Sequence, residues 1–369
     1  MQVNGNPFRS IWLSQEKPEV LVIDQTLLPF TFKVRTLHTA SETALAIREM
    51  VVRGAPLIGA TAACGLFLAA VSDAGEANLR HAYQELLSSR PTAVNLRWAL
   101  DRMLPLLLEV PESGRADLAR ELAQRICDED VATNSAIGDH GLTLISEAAK
   151  ACSHRPVNIL THCNAGWLAT VDWGTALAPI FKAHDQGILV HVWVDETRPR
   201  NQGASLTAWE LAAHGVPHTV IADNAGGHLM QHGEVDLCIV GSDRTTRAGD
   251  VCNKIGTYLK ALAAHDNGIP FYAALPSSTI DWTISDGVRG IPIEERAEEE
   301  VTHICGHDSE ADKLVRVRII PDGSSAANPA FDVTPRKFVE GIITEKGIAK
   351  ASEDDLVALF PQDAEAQQI

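Results

Sequence analysis

The chain lacks a long hydrophobic run, closely spaced cysteine pairs and a balancing share of positive charge. No stretch approaches the roughly 20 apolar residues needed to cross a bilayer. Met1–Ser10 has no apolar signal-like core, so no secretory signal is expected. Lys and Arg number 31 against 48 Asp and Glu, a net charge of −17. That excess of acid argues against nucleic acid and anionic membranes as partners. It leaves room for a phosphorylated small molecule, because a few local cations and helix termini can outweigh the global field inside a pocket. The seven cysteines, Cys64, Cys127, Cys152, Cys163, Cys238, Cys252 and Cys305, are scattered and odd in number, with no CxxC pair. This is the pattern of a reduced, cytoplasmic protein, not of a disulfide framework or a structural zinc site. Neither a Walker A motif nor GxGxxG occurs, so no nucleotide cofactor is expected. His228 and His232 stand four apart on a predicted helix without an apparent third ligand, and no metal is expected.

What is present divides into two textures. A chain of 369 residues is long for one ordinary core, and two domains are expected. Residues 1–35 read as an extended, turn-rich lead-in, with Leu21–Gln25 and Phe32–Val34 as candidate paired strands. Thr39-x-x-Glu42 is a capping box that opens a helix. Ile58–Ser72 is Ala-rich and apolar, as a buried helix would be; Ala77–Ser88, Ala93–Leu108 and Arg115–Ala148 continue the helical pattern. After Ser153-His154-Arg155-Pro156 the pattern changes. Short β-rich runs (Val157–Thr161, Ile188–Val194, His218–Ile221, Leu237–Val240 and Phe271–Ala274) alternate with helical segments. Alternation of this kind implies a parallel sheet covered on both faces. The expected division is therefore a mainly helical part, 1–150, and an α/β part, 151–369. The tail Gln362–Ile369 is expected to fray.

In such sheets ligands bind beyond the carboxyl ends of the strands. The first strand runs into Thr161-His162-Cys163-Asn164-Ala165-Gly166 and then helix-compatible residues from Trp167, which reads as strand, tight turn, helix. A helix amino end beside Cys163 would favour a thiolate, a phosphate or a developing oxyanion. The second strand is followed by Arg198 and Arg200, candidate anion holders. The third leads to Asp223-Asn224-Ala225-Gly226-Gly227. The fourth ends in Gly241-Ser242-Asp243-Arg244, which places Asp243 where a catalytic carboxylate would stand. Asn253 and Lys254 then open a predicted helix and offer anchors for hydroxyls and an anion. One thiol, one carboxylate and several anion binders thus meet at one sheet edge.

Taken together these motifs resemble the methylthioribose-1-phosphate isomerase family of methionine salvage. The matching segments include Ile23-Asp24-Gln25-Thr26, Arg53-Gly54-Ala55-Pro56, Arg90–Leu96, Thr161–Gly166, Glu196–Pro199, Gly241–Tyr258 and Asn328–Pro335. The resemblance implies a helical N-terminal domain, a Rossmann-like C-terminal domain and a homodimer. It also implies that Cys163 and Asp243 are the catalytic pair, with Asp243 as proton donor. It implies that Arg53, Gly54, Ala55, Arg90, Gln202, Asn253 and Lys254 contact substrate, so that the site lies in a cleft between the two parts. Ser205 stands where the family pattern has an arginine. The implied reaction is an aldose–ketose isomerisation of a sugar 1-phosphate without metal or nucleotide. Sister isomerases act on 5-deoxyribose 1-phosphate or ribose 1,5-bisphosphate, and regulatory subunits of a translation initiation exchange factor share the fold; the motifs leave the C5 substituent open. They also leave open whether hydrogen moves by proton abstraction or as hydride.

Overall fold

The computed structural model describes residues 1–3, 5–152 and 155–366. Of the texture boundary, Ser153 and His154 lie outside them, as do residues 367–369 of the tail. The rest of that tail is not frayed: Pro361–Ala366 is helical.

A ribbon, β1 (Gln2–Val3) and β2 (Asn6–Pro7), precedes an antiparallel sheet of β3 (Ile11–Leu13), β4 (Val20–Ile23) and β5 (Val34–Leu37). Five helices follow: α1 (Ala40–Arg48), α2 (Ala55–Ser72), α3 (Glu76–Ser89), α4 (Val94–Glu109) and α5 (Glu112–Ala151). The hydroxyl of Thr39 accepts the Glu42 amide at 3.0 Å, and the Glu42 carboxylate accepts the His38 amide at 2.6 Å. These bonds satisfy donors that a helix start leaves open. α2 is apolar on every face. Contrary to the expectation of no membrane-length apolar run, it could cross a membrane by length and composition, yet 83% of it is buried in the fold. A helix apolar all round needs neighbours all round, and α1, α3, α4 and α5 supply them.

The α/β part contains β6 (Val157–Thr161), α6 (Ala178–Asp185), β7 (Val190–Asp195), α7 (Ala208–His214), β8 (His218–Ile221), α8 (Ala225–Gln231) and β9 (Leu237–Val240). After β10 (Arg244–Thr246) and β11 (Val251–Lys254) come α9 (Thr257–Asp266), β12 (Phe271–Ala274) and β13 (Ile280–Asp281). A hairpin follows, β14 (His303–Asp308) and β15 (Lys313–Arg318), then β16 (Phe331–Thr334), β17 (Gly341–Thr344) and β18 (Gly347–Ala349), before two short helices, Glu353–Leu359 and Pro361–Ala366. The main sheet runs β18-β17-β12-β9-β6-β7-β8, parallel except for the β17–β18 pair. The first strand, β6, is central. The chain adds β7 and β8 on one side, then crosses back to add β9, β12 and β17. Strand order therefore reverses between β6 and β9, and a crevice opens there. α6 and α7 cover one face through Ile180, Phe181 and Leu211; α8 and α9 cover the other through Met230, Ala261 and Ala264. The Rossmann-like arrangement is thus present.

Two local expectations fail. Asn253 and Lys254 do not open a helix. They end β11, paired with Asp332 and Phe331 of β16, and Gly256 at φ +102° turns the chain before α9 begins. Nor does a long helix follow Cys163. Only a 3₁₀ turn, Trp167–Ala169, follows, and α6 waits until Ala178. The amides of Trp167 and Leu168 are captured instead by the buried carboxylate of Glu210, at 2.8 and 3.1 Å.

Candidate active site

Cys163 follows β6 and Asp243 follows β9, so the reversal of strand order brings thiol and carboxylate to one crevice. The backbone holds Cys163 in an unusual state, φ +69°, and its contact Thr197 in another, φ +67°. Left-handed backbone at a β-branched residue costs of order 1–3 kcal/mol and persists only where the surroundings enforce it. Here they do: the Cys163 amide donates to Thr197 Oγ1 at 2.8 Å, and Thr207 Oγ1 donates to the Cys163 carbonyl at 2.7 Å.

The helical part closes the crevice. Arg53 is buried and donates through Nη1 to Asn164 Oδ1 at 2.5 Å and through Nη2 to the Asn164 carbonyl at 2.7 Å. Gly54 caps α2 at φ +95°; a Cβ there would stand 2.4 Å from the Ala169 carbonyl oxygen. Only glycine lets the amino end of α2 approach this turn so closely. Arg53, Gly54, Ala55, Cys163, Asp243 and Asn253 all line one narrow cleft with about 20 Å³ of free space. That admits roughly one water. A sugar phosphate therefore enters only if the walls part. On the other side of Arg53 lies a cavity of about 430 Å³, lined by Gln202, Ser205, Leu28, Met50 and the β14–β15 hairpin. Gln202 is buried, and among the described residues its Oε1 has no partner.

Arg90 and Lys254 form a second basic group. Both stand over the ring of Phe331, at 5.9 and 4.5 Å, a cation–π arrangement. Lys254 Nζ donates to the Ala330 carbonyl at 2.9 Å. Burial lowers the Lys254 pKa below the usual lysine range, while Cys163 and Asp243 oppose the fall and Arg90 and Arg296 add to it. Burial pushes the Cys163 thiol above the usual cysteine value; Arg53 and Lys254 pull it back and Asp243 adds to the rise. The Cys163 thiol is therefore the protonated form at neutral pH, unlike the thiolate that a helix amino end would favour. Asp243 is half-buried, and its amide donates to the Cys252 carbonyl at 2.9 Å. Among the described residues its carboxylate has no hydrogen-bond donor. Arg198 does not join the site and holds the Val301 carbonyl; Arg200 lines the larger cavity, paired with Glu300.

Several residues here carry no role in the sequence reading: Asn164, Thr197, Thr207, Glu210 and Phe331. A polar residue interrupting an apolar helix face, as Glu210 does between Leu206 and Leu211, was the available signal. His162, Asp195 and Asp223 cluster in one place, with the Lys260 ammonium 3.3 Å from Asp195 and bonded to the Asp223 carbonyl. That ammonium already supplies the positive charge a cation would bring. The His228 and His232 rings lie tilted against each other with centroids 4.2 Å apart, and His232 Nδ1 is bonded to the His228 carbonyl.

Residues 51–351 match the initiation factor 2 subunit family. The chain belongs to that family. Within it, the methylthioribose-1-phosphate isomerase of Methylorubrum extorquens is 64% identical over 98% of this chain and 99% of its own. The enzyme of that name from Paramagnetospirillum magneticum is 61% identical over 99% and 100%. Among solved family structures, the 5-methylthioribose 1-phosphate isomerase of Pyrococcus horikoshii superposes with a TM-score of 0.81 at 42% identity, covering 96% of each chain. A translation initiation factor eIF-2B subunit delta from A. fulgidus superposes at 0.78 with 38% identity, over 96% of this chain and 99% of its own. The family thus holds both enzymes and initiation-factor subunits, and the site chemistry bears on which this chain is.

Proposed function

We infer that this chain is an aldose–ketose isomerase that converts 5-methylthioribose 1-phosphate to 5-methylthioribulose 1-phosphate in methionine salvage. Full-length identity above 60% to enzymes of that name supports it. The single observation that carries the chemistry is the meeting of Cys163 and Asp243 in a narrow cleft walled by Arg53 and the amino end of α2. A binding-only subunit has no need to enclose an unpartnered carboxylate against a thiol.

We propose the following roles. Arg53, Arg90 and Lys254, with the free amides at Gly54 and Ala55, hold the phosphate; Gln202 and Asn253 hold hydroxyls. The C1 phosphate blocks spontaneous ring opening. Asp243 as a carboxylic acid protonates the ring oxygen, and the C1–O bond breaks. Hydrogen then moves from C2 to C1. The protonated, buried state of Cys163 favours transfer as hydride, with the C2 hydroxyl proton returning to the Asp243 carboxylate. Atoms balance: one proton goes out to the ring oxygen and one comes back from the C2 hydroxyl. Cys163 then shapes a dry wall beside the migrating hydrogen. Turnover in D₂O should leave C1 free of solvent deuterium; deuterium at C1 would sink the hydride route.

The cavity beyond Arg53 supports an uncharged C5 substituent. Leu28, Phe30, Met50, Leu206 and Leu314 line it, and Arg200 there is already neutralised by Glu300. The charged part of the lining is mixed, Glu299 and Glu300 standing with Arg53, Arg200, Arg316 and His303. Purified protein incubated separately with the methylthio, 5-deoxy and 1,5-bisphosphate sugars should form ketose fastest from the first. Preference for the bisphosphate, or no ketose from any of them, would overturn the assignment. The division into 1–150 and 151–369, the homodimer and the cytoplasmic location stand as parts of the same proposal.

A further inference from the structure

A buried line of hydrogen bonds runs from α7 to Arg53. Glu210 is fully buried in the first turn of α7. Its Oε1 accepts Asn164 Nδ2 at 2.8 Å and the Leu168 amide at 3.1 Å, and its Oε2 accepts the Trp167 amide at 2.8 Å. Thr207 Oγ1 also receives Asn164 Nδ2, at 3.2 Å. An amide side chain has one donor end and one acceptor end. With the donor end of Asn164 claimed by Glu210 and Thr207, the acceptor end must face the Arg53 guanidinium, and it does so at 2.5 Å. Two of the five guanidinium N–H groups are thereby fixed, and three are left to face a ligand. The turn is built around the carboxylate: a Cβ at Gly166 would fall 1.9 Å from Glu210 Oε2. A carboxylate among Trp167, Leu206 and Leu211 is costly to bury, and no step of the reaction above uses it.

We propose that Glu210 is a positioning residue for the substrate phosphate, acting through Asn164 to fix the Arg53 guanidinium. The proposal rests on the reading of Arg53 as a phosphate contact. Glu210→Gln places an N–H donor where three donors already converge, so the amide of Asn164 turns or withdraws and Arg53 loses its anchor.

At pH 8, above the value of about 7 to which burial raises Glu210, the test measures inorganic phosphate affinity by calorimetry, together with KM and kcat for the sugar phosphate. Glu210→Gln should weaken phosphate binding about 10-fold or more and raise KM in step, with kcat changed less than about 3-fold. In an Arg53→Ala background the same substitution should cost nothing further. Additive losses in that double variant, or wild-type phosphate affinity in folded Glu210→Gln, would overturn the proposal. Should Glu210→Gln fail to fold, Asn164→Ala carries the test, because it cuts the line while leaving Glu210 on its two backbone amides. It should weaken phosphate binding likewise, and again only when Arg53 is present; unchanged affinity would refute the line. Phosphate binding is read without turnover. A wild-type protein that binds phosphate but forms no ketose would therefore count against the proposed function and not against this line.

Discussion

At the scale of single residues, the proposed reaction rests on Asp243 and Cys163. Among the described residues Asp243 has no donor to lose, so Asp243→Asn should leave the thermal midpoint nearly unchanged. It should lower kcat by at least about 10²-fold, the usual scale of general acid catalysis. Cys163→Ser should fall by a similar factor, measured in the same ketose assay, and whichever variant keeps most of its kcat drops out of the mechanism. Two buried carboxyls give a separate signature. Burial raises Glu210, against the pull of Asn164, the two backbone amides and Arg53, from 4.5 to about 7. Burial likewise raises Asp130 from 3.8 to about 7, against the Val171 amide, Asn134 and Arg9, with Asp172 adding to the rise. Both bind a proton more tightly folded than unfolded. Their contribution to stability is thus full below about pH 4 and is lost as pH rises through about 7. Urea denaturation at pH 5 and pH 8 should show a smaller loss between the two in Glu210→Gln than in wild type. An identical loss would mean that Glu210 does not titrate as its burial requires.

At the scale of elements, the amino end of α2 decides how tightly the crevice closes. Gly54→Ala would force a methyl onto the Ala169 backbone at φ +95°. It should destabilise by about 1–3 kcal/mol and raise KM, read by denaturation and kinetics; a variant as stable and as active as wild type would show that α2 has slack there. The strands were legible because their period and punctuation are local: four of the five β-rich runs, Val157–Thr161, His218–Ile221, Leu237–Val240 and Phe271–Ala274, match the observed strands residue for residue. The fifth begins two residues late, at Val190. The capping box at Thr39 was legible for the same reason. The stretch after Cys163 was not, because it is decided by Glu210, a residue 47 positions away in the chain that takes the amides a helix would have used. Asn253 and Lys254 misled in the same way. Their strand pairing lies with Phe331 and Asp332, far along the sequence. Cys163 and Asp243 could be placed at strand ends from sequence, but their sharing of one crevice required the strand order.

At the scale of the whole molecule, the core beneath the main sheet is assembled from distant pieces. Val3, Ile23 and Leu28 of the lead-in, and Ile137 and Ile145 of α5, pack with Val157, Ile159, Phe181 and Val192. Residues 151–369 expressed alone would expose that face, so they should show no cooperative unfolding transition by circular dichroism. A sharp transition with retained phosphate binding would show that residues 1–150 are dispensable for this core. The same sharing sets an order of events during synthesis. The lead-in leaves the ribosome first, yet the sheet that completes its packing follows more than a hundred residues later. At about 5–20 residues per second, Val3, Ile23 and Leu28 wait on the order of ten seconds or more without their partners. A chain stalled or truncated before β6 would carry these apolar residues uncovered, which makes the early nascent chain, more than the finished enzyme, the form a chaperone would hold.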